Sequence, residues 1–309
     1  MPWTKCICPT REEKTFEECL ACTHPCFDLE IREAMFEKNE DQAEEHTGKN
    51  ITVSALTNCL RNVYLERITD YAATPKSQWW SLRGTLIHKI VERPNVYTEE
   101  YRRECEKRLY VDVDIGDGIR VPISGQMDVY TLRFLKQGIL KDWKSIGDNG
   151  LRYIIQDGAK KEHIEQTNDY AYICRKNGLP AHKIVIVYMT LMDVVQTGKI
   201  TTFSEYLKNP PEKKGARSNM VGTPRQVKVF PSGKIKWETD YMVNPVPVWT
   251  DEKTLSVMTP KIRILYEAFE NRIMPPKCDT DMQEWKCESY CNIKKECDAY
   301  ESDQAFKED

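Results

Sequence analysis

No stretch of the chain approaches the roughly 18 consecutive apolar residues that a membrane-spanning helix needs. The opening residues, Met1-Pro2-Trp3-Thr4-Lys5-Cys6-Ile7-Cys8, lack the long apolar run of a secretory signal. A cytoplasmic protein with no membrane partner is therefore expected. Internal repeats are missing too, which removes solenoids and propellers. There is no large excess of charge of either sign. Against 48 Asp and Glu stand 45 Lys and Arg, a net of -3. A basic surface for a polyanion, if present, has to be local rather than global.

Hydrophobic residues at 40% and charged residues at 30% suit a globular chain with a real core. What is abundant is cysteine, 12 in 309 residues. In a reducing compartment clustered cysteines more often mean metal than disulfide. Ten of them fall into terminal groups or pair with one: Cys6, Cys8, Cys19, Cys22 and Cys26; Cys278, Cys287, Cys291 and Cys297; and Cys59. Cys105 and Cys174 stand alone inside apparent secondary structure and read as small buried apolar residues.

The organisation expected along the chain is a cysteine-rich N-terminal extension with an acidic helix or linker (1–46), then one domain over 47–309. Thr52 or Ser54 can cap a helix carrying Leu56, Leu60, Tyr64 and Ile68, with Pro75 ending that region. A second helix is predicted over about Trp79–Glu92. Strands follow at Arg108–Ile115, Ile119–Ile123, Gln126–Phe134 and Ile139–Lys144, with Gly116-Asp117-Gly118 as a turn. A helix is predicted over 160–177, a buried strand over Lys183–Thr190 and a helix over about Glu252–Asn271. This order predicts an α/β fold, a mixed central sheet flanked by helices. Residues 208–236 are Pro/Gly-rich and basic.

One series of residues carries chemistry. Asp128 and Asp142 lie on consecutive predicted strands, so sheet pairing can bring both carboxylates to one hard cation such as magnesium or manganese. Lys144 is two residues beyond Asp142 and on a strand shares its face. Trp143 is expected to face the core. His88 lies on the helix before the strands, and an imidazole is a donor best tolerated by manganese. Gln166 and Tyr170 share one face of the following helix.

The segments Gly84-Thr85-Leu86-Ile87-His88, Gly125-Gln126-Met127-Asp128, Ile139-Leu140-Lys141-Asp142-Trp143-Lys144 and Gln166-Thr167-Asn168-Asp169-Tyr170 together resemble the RecB-like branch of the PD-(D/E)xK nuclease superfamily. The similarity is strongest to CRISPR-associated RecB-like exonucleases and their phage-encoded relatives. It covers roughly residues 50–300 and leaves out the N-terminal cysteines. The resemblance implies a restriction-endonuclease-like core. It implies that His88, Asp128 and Asp142 hold Mg2+ or Mn2+, that Lys144 is catalytic, and that Gln166 and Tyr170 help position DNA. The expected activity is a metal-dependent deoxyribonuclease, an exonuclease on single-stranded DNA or DNA ends, serving recombination, phage replication or CRISPR spacer acquisition with the proteins of those pathways. The rival is a non-catalytic iron–sulfur or zinc-organised nucleic-acid-binding module.

Soft thiolates at Cys287, Cys291 and Cys297 select an iron–sulfur cluster or zinc. A fourth ligand must come from elsewhere, either Cys59 or Cys278. The resemblance, which extends here to AddB-type helicase–nuclease subunits, implies a [4Fe–4S] cluster on Cys59, Cys287, Cys291 and Cys297, in a C-terminal segment of about 275–300. Cys287 and Cys291 are separated by three residues, where that family more often has two. At the other end, Cys6, Cys8, Cys19, Cys22 and Cys26 offer more thiolates than a tetrahedral zinc ion needs. The spacing does not choose which four, and unligated thiols or a second iron–sulfur centre are the alternatives. The basic stretch can neutralise phosphates, and Trp79, Trp80 and Tyr172 are candidates for base stacking, against ordinary core packing.

Overall fold

The computed structural model describes residues 3–8, 11–45, 50–133, 137–147, 150, 154, 158–190, 195–196, 225–229, 235–238, 241–278, 287 and 291–305. They form two compact units. The first comprises residues 1–86, 112–123 and 257–309, the second residues 87–111 and 124–256.

In the first unit β1 (Lys5–Ile7) pairs antiparallel with β2 (Glu13–Lys14). α1 (Phe16–Leu20) starts at a capping box. The Glu18 N–H donates to the Thr15 hydroxyl at 3.1 Å, and the Glu18 carboxylate accepts the Thr15 N–H at 2.8 Å. The acidic stretch that follows is a helix, α2 (Leu29–Glu45), rather than a linker. Its Phe36 stacks on Phe16 at 4.4 Å, and Trp3 meets Phe16 edge-on at 4.7 Å. The N-terminal segment thus owns a small aromatic core. Its three rings are too far apart in sequence to appear as periodicity.

β3 (Ile51–Thr52) leads into α3 (Val53–Leu56), where the Thr52 hydroxyl accepts the Ala55 N–H at 3.2 Å. α4 (Leu60–Ile68) follows separately. The single helix predicted here breaks at Thr57-Asn58-Cys59, where the Asn58 amide turns back onto the Ser54 carbonyl at 3.0 Å. β4 (Ala72–Ala73) runs parallel to β1. α5 (Pro75–Val91) begins four residues before its predicted start. Pro75 opens this helix instead of closing the previous one, and the Thr74 hydroxyl accepts the Ser77 N–H at 3.2 Å.

The large sheet has the order β13-β9-β8-β7-β6-β5, with β3 also pairing β7. β5 (Val96–Tyr97) and β6 (Tyr101–Asp114) are antiparallel, and β6 returns as β7 (Arg120–Arg133) through a turn in which Gly116, Asp117 and Gly118 all have positive φ. β7 is one continuous strand where two were predicted. β6 starts well before the predicted Arg108, because its charged first half shows no apolar alternation. β8 (Gly138–Ile146) pairs antiparallel with β7. α6 (Lys161–Lys176) carries the chain over to β9 (Lys183–Thr190), which lies parallel to β8.

β10 (Val195–Gln196), β11 (Arg225–Val229) and β12 (Ile235–Glu238) form a separate small sheet. β13 (Tyr241–Val246) edges the large sheet against β9. α7 (Asp251–Asn271), with Pro260 inside it, and α8 (Lys294–Ala305) complete the chain. The result is a mixed α/β fold. Tyr130, Leu140, Ile173, Ile184, Ile186 and Tyr188 are fully buried in the second unit. No helix among the described residues is long and apolar enough to cross a membrane.

Candidate metal centre

His88, Glu106, Asp128, Asp142, Lys144, Gln166 and Tyr170 all belong to the second unit. β7 and β8 align Val129 with Lys141, so Asp128 and Asp142 occupy the next step of the ladder. The Trp143 N–H donates to Asp128 Oδ2 at 2.6 Å and locks that carboxylate in place. Along β8 the buried face runs Gly138, Leu140, Asp142, so the acid continues an apolar row. Trp143, expected to face the core, is only half-buried on the opposite face, while Asp142 is 2% exposed. The sheet buries the acid's face more deeply because Leu140 there packs fully. Lys144 lies over Asp142, with its Nζ donating to Oδ1 at 3.1 Å and standing 2.9 Å from Oδ2. Oδ2 is buried and accepts no aligned hydrogen bond; its contact with Lys144 is close but off the hydrogen-bond direction.

His88, in the last turn of α5, places Nδ1 at 3.2 Å from Glu106 Oε1 and 3.6 Å from Asp128 Oδ1. Among the described residues, His88, Glu106 and Asp128 form a group whose ligand atoms all lie within 4.8 Å of one another, and it could hold a metal ion. This differs from the expected trio of His88, Asp128 and Asp142. Glu106 takes the third place, and the Asp142 carboxylate is engaged by Lys144 beside the group. Sequence reasoning missed Glu106. It lies in β6 at φ +49°, a left-handed conformation that interrupts the strand's regular alternation of faces. The charged run before Arg108 held no signal for this. Gln126, in the Gly-Gln-Met-Asp segment, proves to be a bridge. It donates to Glu106 Oε2 at 3.0 Å and accepts from Arg108 Nη2 at 2.8 Å.

Three carboxylates and one ammonium meet here, an excess of negative charge with little water to screen it. Burial, then the neighbouring Asp142, push the Asp128 carboxyl up to about 7. The hydrogen bond to Glu106 raises the His88 imidazole, against burial. Glu106 feels burial too, but its bonds to His88 and Gln126 prevail and hold its carboxyl below the ordinary range. Burial alone would discharge Lys144, yet Asp142 and Asp128 raise its ammonium. The arrangement is what a divalent cation would relieve.

Gln166 and Tyr170 are both buried on α6, with Gln166 Nε2 donating to the Tyr170 hydroxyl at 3.1 Å. Burial, followed by Asp142 and Asp128, raises that phenol. Tyr172, a stacking candidate, is instead buried, with Lys176 Nζ 5.2 Å from its ring centroid. Trp79 stacks on Phe27 at 5.7 Å. The Trp80 side chain and most of 208–236 lie outside the described residues.

In the first unit, Cys59 caps α4, and Cys291 and Cys297 pack against Tyr64, Leu65, Ala268 and Ile293 of the same neighbourhood. The Cys291 thiol, raised mainly by burial, also feels Cys287 and Cys297. One expectation is corrected. Cys59 is joined in a disulfide to Cys278, with a Cα–Cα separation of 5.6 Å, and is not a free thiol beside the other three. The chain brings Pro275 back to α4, where Arg61 donates to its carbonyl at 2.8 Å, and this sets Cys278 down at Cys59. Cys105 and Cys174 are buried.

No family model matches the chain, and no curated protein matches it. Among solved structures it is similar to one titled "Crystal structure of SSO0001", at 16% identity and a TM-score of 0.46, over 87% of this chain and 97% of that one. A likeness of this size carries no argument.

Proposed function

We propose that this protein is a metal-dependent deoxyribonuclease of the RecB-like PD-(D/E)xK type, acting on single-stranded DNA or DNA ends. One observation carries the reading: His88, Glu106 and Asp128 converge within 4.8 Å beside the Asp142–Lys144 pair. The donors are an imidazole and hard oxygens, a set that suits manganese or magnesium. The buried Asp142 Oδ2, with no aligned donor, is a further oxygen with acceptor capacity to spare. A divalent cation held there would supply charge neutralisation at a phosphodiester and Lewis-acid activation of the attacking water.

The chain's own residues do the rest. Lys144, held charged by Asp142 and Asp128, offers its ammonium to the attacking water or to the developing negative charge on phosphorus. Trp143 and Gln126 fix the carboxylates so that no reorganisation is needed at the moment of reaction. To the buried Gln166–Tyr170 pair this reading assigns the orienting of the sugar-phosphate. The substrate is DNA, and the pathway is recombination, phage replication or CRISPR spacer acquisition. Cys287, Cys291 and Cys297 are free thiols of the right softness for an iron–sulfur cluster. A fourth thiolate from Cys59 or Cys278 requires a dithiol reductant, whose own two thiols become a disulfide as the Cys59–Cys278 bond is cleaved.

The test is degradation of end-labelled single-stranded and duplex DNA with Mn2+, comparing wild type with Lys144→Ala. A loss of about 10²- to 10⁴-fold is expected for a group assisting proton transfer or charge stabilisation. Equal activity of the two proteins removes the nuclease reading.

A further inference from the structure

The N-terminal thiols lie outside the family resemblance and outside the proposed active site, and the structure gathers them. Cys6 is in β1, in register with Lys14 on one side and Ala73 on the other. Cys8 lies two residues on, at the start of a tight turn. Its N–H donates to the Glu12 carbonyl at 2.9 Å, and its own carbonyl accepts the Arg11 N–H at 2.8 Å, with Arg11 at φ +68°. Cys19 is in α1, and Cys22 follows where that helix ends, its N–H on the Cys19 carbonyl at 3.3 Å. The helix packs against both strands of the hairpin. Cys6 and Cys19 are buried in one cluster with Trp3, Phe36 and Ala73. All five are free.

Two further features point to a ligand. Arg32 is 5% exposed, and its guanidinium donates to the carbonyls of Cys19 and Leu20. Lys14 Nζ stands 3.9 Å from Cys22 Sγ. Four thiolates around a divalent ion carry a net double negative charge, and these cations are placed to offset it. Without a metal, burial first and neighbouring thiols second oppose ionisation of Cys6 and Cys8. Behind them Trp3, Phe16 and Phe36 exclude water.

We propose that Cys6, Cys8 and Cys19, with a fourth thiolate from the Cys22–Cys26 turn, bind a structural zinc ion that ties the β1–β2 hairpin to the end of α1. Zinc–sulfur bonds of about 2.3 Å in a tetrahedron would set the bound sulfurs about 3.8 Å apart. The ion must draw the sulfurs together, since no three of these thiols lie within 4.8 Å of one another. Binding draws Cys8 and the turn inward and releases the thiol protons.

The full chain, purified and dialysed against a weak chelator, should retain about one zinc per molecule at this site. Exchange with Co2+ should give thiolate-to-metal charge-transfer absorption and intense d–d bands. Cys6→Ser and Cys19→Ser should each lose the zinc, as should one of Cys22→Ser and Cys26→Ser, while Cys291→Ser in the other thiol group keeps it. If a variant does not fold, titration of wild type with an organomercurial, with zinc release followed by a chromophoric chelator, reads the same site. Wild type free of zinc and lacking the cobalt bands overturns the proposal. So does zinc that persists in Cys6→Ser, zinc that is lost in Cys291→Ser, or Cys6→Ser depleting iron and sulfide instead of zinc.

Discussion

Glu106 offers a way to separate metal binding from folding, because its side chain and its backbone pull in opposite directions. As a non-glycine residue at φ +49°, it costs roughly 1–2 kcal/mol of backbone strain. Its carboxylate meets His88 at 3.2 Å, with side-chain exposures of 31% for the imidazole and 23% for the carboxylate. A partly exposed pair of that kind is worth about 1 kcal/mol after solvent screening. Glu106→Gly removes both, so in chelator the melting temperature should stay within a few degrees of wild type. Glu106→Gln keeps the strain and loses the charge, and should be the less stable of the two by about 1 kcal/mol. For the metal the two variants agree. Losing a residue that only supports a ligand costs about 10–100-fold in affinity, and loss of a carboxylate ligand should reach at least the upper end. Mn2+ titration by calorimetry, paired with thermal unfolding in chelator, reads both quantities. In Glu106→Gln the His88 imidazole should also titrate lower, visible by NMR, since the bond to Glu106 is what chiefly raises it. The reasoning is refuted if both variants bind Mn2+ as wild type does, or if Glu106→Gly unfolds far below Glu106→Gln.

Three other outcomes are expected. Asp128 is raised from 3.8 to about 7 in the metal-free fold. Its contribution to stability is therefore complete below 3.8 and is lost as pH rises through about 7. Mn2+ must displace that proton and the one on His88, so affinity should climb by about tenfold to 100-fold per pH unit below 7 and then level off, and a flat profile would contradict the assigned ligands. In chelator, Lys144→Ala should unfold more easily by about 3 kcal/mol, because it strands the buried Asp142 carboxylate. Mn2+ should restore part of that loss, and a variant as stable as wild type in chelator would show the pair to be unimportant. Gly138→Ala should cost about 3 kcal/mol or more, since its new Cβ would collide with the Pro180 carbonyl and the Tyr130 hydroxyl at the start of β8. Denaturant unfolding checks it, and a change under 1 kcal/mol would mean that the backbone there yields.

Local order was legible from the sequence wherever a period or a cap carried it. β8, β9, α6 and α7 fall within two residues of their predicted bounds, because apolar alternation and helical spacing reflect burial directly. The Asp142–Lys144 contact likewise follows from the two-residue period of a strand. Pro75 and the Thr57–Cys59 break were misjudged, since each depends on which neighbouring hydroxyl or amide captures a backbone group.

The sequence by itself determined the kinds of donor present and their order: an imidazole, acids and a lysine in one run, and thiols at both ends. Tertiary structure alone decided which of them meet. Glu106 joins His88 and Asp128 through a single left-handed dihedral in a charged strand, which no alternation pattern encodes. Cys59 finds Cys278 across 219 residues. A pattern of residue types reports what each side chain prefers as its surroundings. The meeting of distant ones depends on strand register and chain reversal, and those are settled only when the whole sheet and its helices pack.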